Sequence, residues 1–237
     1  ARNAARVDVP GLVPVFHVGK TSEGTPYVIQ KLIKGKSLRE IEKVGGLLSP
    51  RQVVDLLVPI CRAVGAAHAQ SLVHRDLKPA NILVDEEGMP WIADFGLAVV
   101  EDEHSQARIA GTPNFMAPEQ IHGEVAWLDG RCDIWALGII LYQALTGRLP
   151  FKAANPSELH QQILHLEPRP ISQRQPNIHG EWDRIFRKCC AKSVADRYHS
   201  AYELAEDLIR LRDSLDPTTE KLNPVLHDLL KIGQAGG

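Results

Sequence analysis

The stretch that decides the fold reads His74-Arg75-Asp76-Leu77-Lys78-Pro79-Ala80-Asn81-Ile82-Leu83-Val84 and, after a short acidic turn, Asp94-Phe95-Gly96. Two apolar runs, Ile82-Leu83-Val84 and Trp91-Ile92-Ala93, flank Asp85-Glu86-Glu87-Gly88. The segment therefore predicts two short strands joined by a hairpin turn. Closing that hairpin returns Asp94 to the side of Asn81 and Asp76. It gathers hard oxygen donors suited to a small divalent cation, with a spare carboxylate and Lys78 beside them.

These residues resemble the eukaryotic-like serine/threonine protein kinases, in their bacterial style. H-R-D-L-K-P-A-N reads as the catalytic loop, D-F-G as the metal loop, and Ala117-Pro118-Glu119 as the close of the activation segment. Three motifs in order and at the right spacing are more specific than one glycine pattern; the bland alternative is a satisfied core histidine, solvated carboxylates and a chance A-P-E. The resemblance implies an α+β, protein-kinase-like fold. Residues 1–33 would be a remnant of the small-lobe β-sheet with the hinge, 34–213 the near-complete, mainly helical large lobe, and 214–237 a C-terminal extension or linker.

The same resemblance assigns roles. Asp76 accepts or orients the proton of an attacking hydroxyl, and Lys78 neutralises charge on the γ-phosphate of ATP. Asn81 and Asp94 hold Mg²⁺, with Mn²⁺ as the alternative metal. Leu83 lies beneath the adenine ring, and the backbone of Lys31 and Ile33 meets the adenine edge after a gatekeeper, Gln30. Thr112, in Gly111-Thr112-Pro113, matches the threonine that bonds the catalytic aspartate and lysine, and with Lys78 it points to Ser/Thr specificity. Arg75 matches kinases regulated by activation-loop phosphorylation. Ser105 is the candidate phosphosite, and the acidic run Glu101-Asp102-Glu103 is the alternative source of negative charge, if it is not simply a solvated loop. Asp133 is expected to hold the catalytic-loop backbone, and Arg197 to pair with Glu119.

Composition narrows the setting. A chain of 237 residues buries one sizeable core or two lobes sharing a cleft. A net charge of −2 gives no electrostatic footprint for nucleic acid or an anionic membrane surface. No apolar run approaches the roughly 18 residues of a membrane span, and no signal peptide is expected within these residues. Cys61, Cys132, Cys189 and Cys190 lack metal-binding spacing and read as helix packing in a reducing compartment. His68 and His74 read as structural. The setting implied is cytoplasmic, with protein substrates, no nucleic acid and no membrane contact within these residues; a parent protein anchored through a segment outside them is compatible with this.

Outward from the central stretch, Ala1 to Val7 resembles a helix end, and 12–18 and 27–33 read as strands joined by Thr21-Ser22-Glu23-Gly24-Thr25. Ser49-Pro50-Arg51-Gln52 is a capping box for a helix carrying Val53, Leu56, Leu57, Ile60, Val64 and Ala67, with Pro59 expected to kink it or remove a bond. The segment from Gly130 to Leu145 is apolar nearly all round and belongs in a core. Asn155 and Ser200 open two further helices. Val225, Leu226, Leu229 and Leu230 suggest a short amphipathic helix.

Parts of the kinase pattern are unmatched. No G-x-G-x-x-G loop and no V-A-I-K lysine precede the first strands, and the partner glutamate would fall before Ala1. With Ala1 first and Met89 the first methionine, the chain reads as a piece of a longer polypeptide. Each charge-assisted hydrogen bond lost is worth roughly 1.5–3 kcal/mol. As written, the chain is expected to be a poor enzyme. Two other readings stand beside the kinase. One is a non-catalytic pseudokinase or scaffold, opposed by the joint presence of Asp76, Lys78, Asn81 and Asp94. The other is a small-molecule phosphotransferase, opposed by Thr112 and Ala117-Pro118-Glu119, which belong to a peptide-docking segment.

Overall fold

A cap starts the longest helix. Ser49 Oγ accepts the N–H of Gln52 at 3.3 Å, and Gln52 Oε1 accepts the N–H of Ser49 at 2.8 Å. With Pro50 at the first position, this reciprocal pair opens α2, Pro50–His68. The helix continues through Pro59, which leaves the Asp55 carbonyl without its helical donor. Val53, Leu56, Leu57, Ile60 and Val64 are wholly withdrawn from solvent. The computed structural model describes residues 9–95, 113–123 and 129–215. The expected helix end at 1–7 and the amphipathic segment near 225–230 lie outside them.

α2 packs on α4, Arg131–Thr146, and on α7, Ala201–Leu215. As its sequence requires, α4 is buried on every side. It ends at Gly147, where φ is +66° and the N–H donates to the Gln143 carbonyl at 2.7 Å. Against α4 lies α6, Glu181–Cys189. The approach is close at Gly138, where a Cβ would sit 2.5 Å from Cys189 Cβ. All four cysteines are free and buried, and burial pushes the Cys190 thiol up to about 12. Asn155 caps α5, Pro156–His165, by accepting the Glu158 N–H at 2.9 Å. Ser200 accepts the Glu203 N–H ahead of α7 at 3.2 Å.

Two small antiparallel sheets complete the described chain. β1, Val15–Lys20, pairs with β2, Pro26–Gln30, around a turn whose Gly24 adopts φ +83°. The second sheet has the order β3, Gly35–Ser37; β4, Ile82–Asp85; β5, Pro90–Ile92. The expected first strand begins too early. Gly11 and Val13 instead exchange backbone bonds with Ile92 of β5, at 2.8 and 2.9 Å, which ties this segment to the second sheet before β1 starts. The expected second strand ends at Gln30, because 31–34 leave the ladder. β3 and the following α1, Leu38–Gly45, are absent from the sequence expectation. Their signal is Ser37-x-x-Glu40, a capping box in which Ser37 Oγ accepts the Glu40 N–H and Glu40 accepts the Ser37 N–H at 2.8 Å.

Candidate active site

The β4–β5 hairpin forms as its residues dictate. Gly88 sits at φ +83°, and Asp85 accepts from the Met89 N–H and the Trp91 indole N–H, both at 2.7 Å. In the register Ile82↔Ile92, the residues just outside the ladder are Asn81 and Ala93, and the Ala93 N–H donates to the Asn81 carbonyl at 2.8 Å. Asp94 therefore follows directly on the residue opposite Asn81. It is exposed and adopts φ +59°, a conformation costly for a non-glycine residue.

Before β4, Pro79–Asn81 makes a single 3₁₀ turn. It carries Lys78 back onto Asp76, whose carboxylate the ammonium contacts directly, both side chains being about a quarter exposed. Asn81 Nδ2 donates to the Asp76 carbonyl at 3.0 Å. That bond leaves Oδ1 as the end of the amide available to a cation.

The loop before Asp76 is held from below. Buried Asp133, on the first turn of α4, accepts the His74 N–H through Oδ2 at 2.9 Å and the Arg75 N–H through Oδ1 at 2.8 Å. His68 Nε2 reaches the same Oδ2 at 2.8 Å. Burial pushes the Asp133 carboxyl up, but the His68 hydrogen bond and the nearby histidines outweigh it and hold the group below its ordinary value. His74 donates from Nε2 to the Ala93 carbonyl at 3.0 Å, leaving Nδ1 to accept the Asp76 N–H at 3.3 Å. Its ring meets Phe95 edge-on, with centroids 5.0 Å apart. Both histidines serve the loop, and Asp133 holds its backbone as expected.

Gln120 was not foreseen as part of this scaffold. Its side chain donates to the Arg75 carbonyl at 2.7 Å and accepts the Ala117 N–H at 3.0 Å. It fastens α3, Pro118–Ile121, to the catalytic loop. The expected pair beneath is present: Arg197 Nη1 and Nη2 donate to Glu119 Oε1 and Oε2 at 2.7 and 2.8 Å, fully buried.

Among the described residues, no group of three or more His, Cys, Asp or Glu is placed to hold a metal. One carboxylate, Asp94, and one amide oxygen, Asn81 Oδ1, nevertheless suit Mg²⁺, which keeps several water or phosphate ligands beyond one or two protein groups. Leu83 alternates out of the core between buried Ile82 and Val84 and pairs across with Trp91, over which Lys31 Nζ sits at 4.5 Å. The Lys31 N–H is taken by the Pro14 carbonyl at 2.9 Å, so an adenine contact there has to use the Lys31 carbonyl. Ile33 lies in the irregular 31–34 segment, half-buried. Ser105, Thr112, Gly96 and the acidic run 101–103 lie outside the described residues.

Comparison with known proteins agrees with this geometry. The family model described as "Protein kinase domain" matches residues 3–209. The chain is 34% identical over 229 residues to serine/threonine-protein kinase PknB of Mycobacterium leprae, covering 94% of this chain and 36% of that protein. It is 34% identical over 220 residues to a probable serine/threonine-protein kinase of Corynebacterium efficiens, covering 88% and 33%. It is 31% identical over 230 residues to PknB of Mycobacterium tuberculosis, covering 94% and 36%. The chain thus spans about a third of the length of these curated relatives. With residues 3–209 matched, and a catalytic loop, metal loop and Glu119–Arg197 clasp to go with the match, the chain belongs to the protein kinase family.

Proposed function

We propose that the intact protein carrying these residues transfers the γ-phosphate of ATP to serine and threonine hydroxyls of protein substrates. The observation that carries this reading is the pairing of Asp76 with Lys78 directly beside Asn81, on a loop whose backbone is bolted to Asp133. ATP and a divalent metal belong to the family, and Mg²⁺ is the metal that Asn81 and Asp94 best suit, with Mn²⁺ the alternative. When bound, the metal supplies charge neutralisation on the phosphates. Asp76 orients the substrate hydroxyl and takes its proton. Lys78, already against Asp76, carries positive charge to the transferred group. Leu83 offers an apolar platform to the adenine, and the Lys31 and Ile33 backbone its edge. Catalysis of this kind is positioning and electrostatics, and a loop held by Asp133 and Gln120 supplies the positioning.

The names of the relatives support serine/threonine specificity, and Thr112 with Lys78 supports it from the sequence. Residues 1–33 serve in this reading as small-lobe remnant and hinge, 34–213 as the large lobe and 214–237 as an extension. Arg75 Nε is buried with no hydrogen-bond partner among the described residues, which suits a phosphate on Ser105 as its partner. A cytoplasmic place of action is supported by four free thiols; no helix among the described residues is long and apolar enough to cross a membrane. Chelating divalent metal should abolish transfer, and Mg²⁺ should restore it in wild type but not in Asp94→Ala. Transfer that persists in chelator overturns the roles of Asn81 and Asp94.

A further inference from the structure

Away from the catalytic loop, a pocket of about 510 Å³ opens between α6 and the turn that follows it, and none of its lining residues belongs to the site described above. Its apolar walls include Pro168, Pro170 and Phe186. A volume of this size suits a small organic ligand. Lys192 lines the same pocket and is half-buried. Its Nζ donates to the Ile163 carbonyl, on the last turn of α5, at 2.5 Å. It also sits 4.5 and 5.2 Å from the ring centroids of Phe151 and Trp135, whose faces attract a cation. An ammonium has three donors and a full charge. Among the described residues no carboxylate comes within ion-pair distance of this one.

The other charges of the pocket are placed differently. Asp183 is engaged, accepting the Ser172 N–H at 3.1 Å and the Ser172 hydroxyl at 2.5 Å. Glu167 and Asp196 are exposed, so water already hydrates them. Arg187, on α6, is exposed and makes no hydrogen bond or ion pair among the described residues. Burial pushes the Lys192 ammonium below its ordinary value of 10.5, and Glu167 offsets this only in part. The charge with most to gain from a partner is therefore the desolvated ammonium.

We infer that this pocket binds a small organic monocarboxylate with an apolar body, its charge taken by Lys192 and Arg187. Pro168, Pro170 and Phe186 receive the body. A charge-assisted bond to Lys192 supplies the anion that the half-buried ammonium lacks. A phosphate is disfavoured, because Glu167, Asp183 and Asp196 repel a second negative charge. An uncharged amide of the same shape meets the walls but leaves Lys192 as it was. The same wall steadies the clasp beyond it. The carbonyls of Ala191 and Lys192 accept from Arg197 Nε and Nη2 at 2.8 and 3.4 Å, and Arg197 in turn holds Glu119. An occupant of the pocket thus lies against the backbone on which that arginine rests.

The probe is benzoate, set against benzamide and phenyl phosphate, titrated into the intact protein and followed by ligand-observed NMR. Benzoate should saturate in roughly the millimolar range, which is what so few non-hydrogen atoms support. It should bind roughly tenfold or more tightly than benzamide. Lys192→Met keeps the aliphatic stem against Phe151 and Trp135, loses the charge, and should bring that ratio to about one. Arg187→Gln should lower it severalfold. Lys78→Gln, which removes the ammonium of the catalytic loop, should leave it as in wild type. Equal binding of benzoate and benzamide overturns the inference, as does a preference untouched by Lys192→Met or Arg187→Gln. A preference lost in Lys78→Gln, or tighter binding of phenyl phosphate, overturns it too. Where Lys192→Met fails to fold, wild type labelled with [ε-¹³C]lysine carries the test. The lysine signal that titrates lowest should move to higher pKa on adding benzoate, and a signal that stays in place overturns the site.

Discussion

The β1–β2 hairpin and the loop from His74 to Asp94 are both short and irregularly connected, yet the structure treats them differently. The hairpin shows Phe16 at 65%, Ile29 at 50% and Leu32, just beyond it, at 82% exposure. At the loop, polar groups are buried where they hold the backbone: His74 within it and Asp133 of α4 behind it are each 1% exposed. Apolar groups facing water cost little when singly placed, but buried polar groups demand partners. That demand is met by Asp133 of α4, itself backed by His68 of α2, by Gln120 of α3 and by the Ala93 carbonyl just past β5. The loop's geometry is over-determined, which is how Arg75 and Asp94 keep positive φ values of 67° and 59°.

This contrast can be broken at its strongest point first. Arg197→Met leaves the buried Glu119 carboxylate without its fork of donors. Denaturant unfolding should show a loss of about 3–5 kcal/mol. Asp133→Asn should cost less, about 2–3 kcal/mol, because one acceptor oxygen remains for the two backbone N–H groups. At the other extreme, Leu32→Ser should stay within about 0.5 kcal/mol of wild type. A large loss at Leu32 with little at Arg197 would invert the comparison.

Proton linkage sharpens it. The native Asp133 carboxyl lies below its ordinary value of 3.8, so its contribution is whole above that value and is lost as pH falls through the depressed native one. Acid unfolding of Asp133→Asn should accordingly be less steep than that of wild type. Glu42 has the opposite sign. Its native value, about 7, lies above the ordinary 4.5, so its contribution is present below 4.5 and is lost as pH rises toward and past 7. Stability measured between pH 5 and pH 8 should fall less in Glu42→Gln than in wild type. Arg39, Lys43 and Lys78 are the charged groups around Glu42.

What the sequence made legible follows the same division. Ser49, Asn155 and Ser200 announce their helices locally, and Asp85 to Gly88 announces the hairpin, so those elements form where the residues place them. Asp133 and the Glu119–Arg197 clasp were legible through the kinase resemblance, which carries long-range pairings that periodicity cannot. β3 was not legible: Gly35-Lys36-Ser37 is polar and unpatterned, and only pairing with distant β4 makes it a strand. α1 buries only Leu38 and Ile41, too few apolar positions to declare a helix, although its capping box was readable. Glu42 looks like one more solvated helix charge until Gln143, far along the chain, is folded against it. Gln120 was hidden for the same reason.

The most direct test of the central claim is phosphate transfer from ATP to serine and threonine peptides by the intact protein, wild type against Asp76→Asn, with thermal stability followed in parallel. The account predicts a loss of roughly 10²- to 10⁴-fold in the variant at nearly unchanged stability. Equal turnover in the two proteins, or none in the wild type, would contradict it.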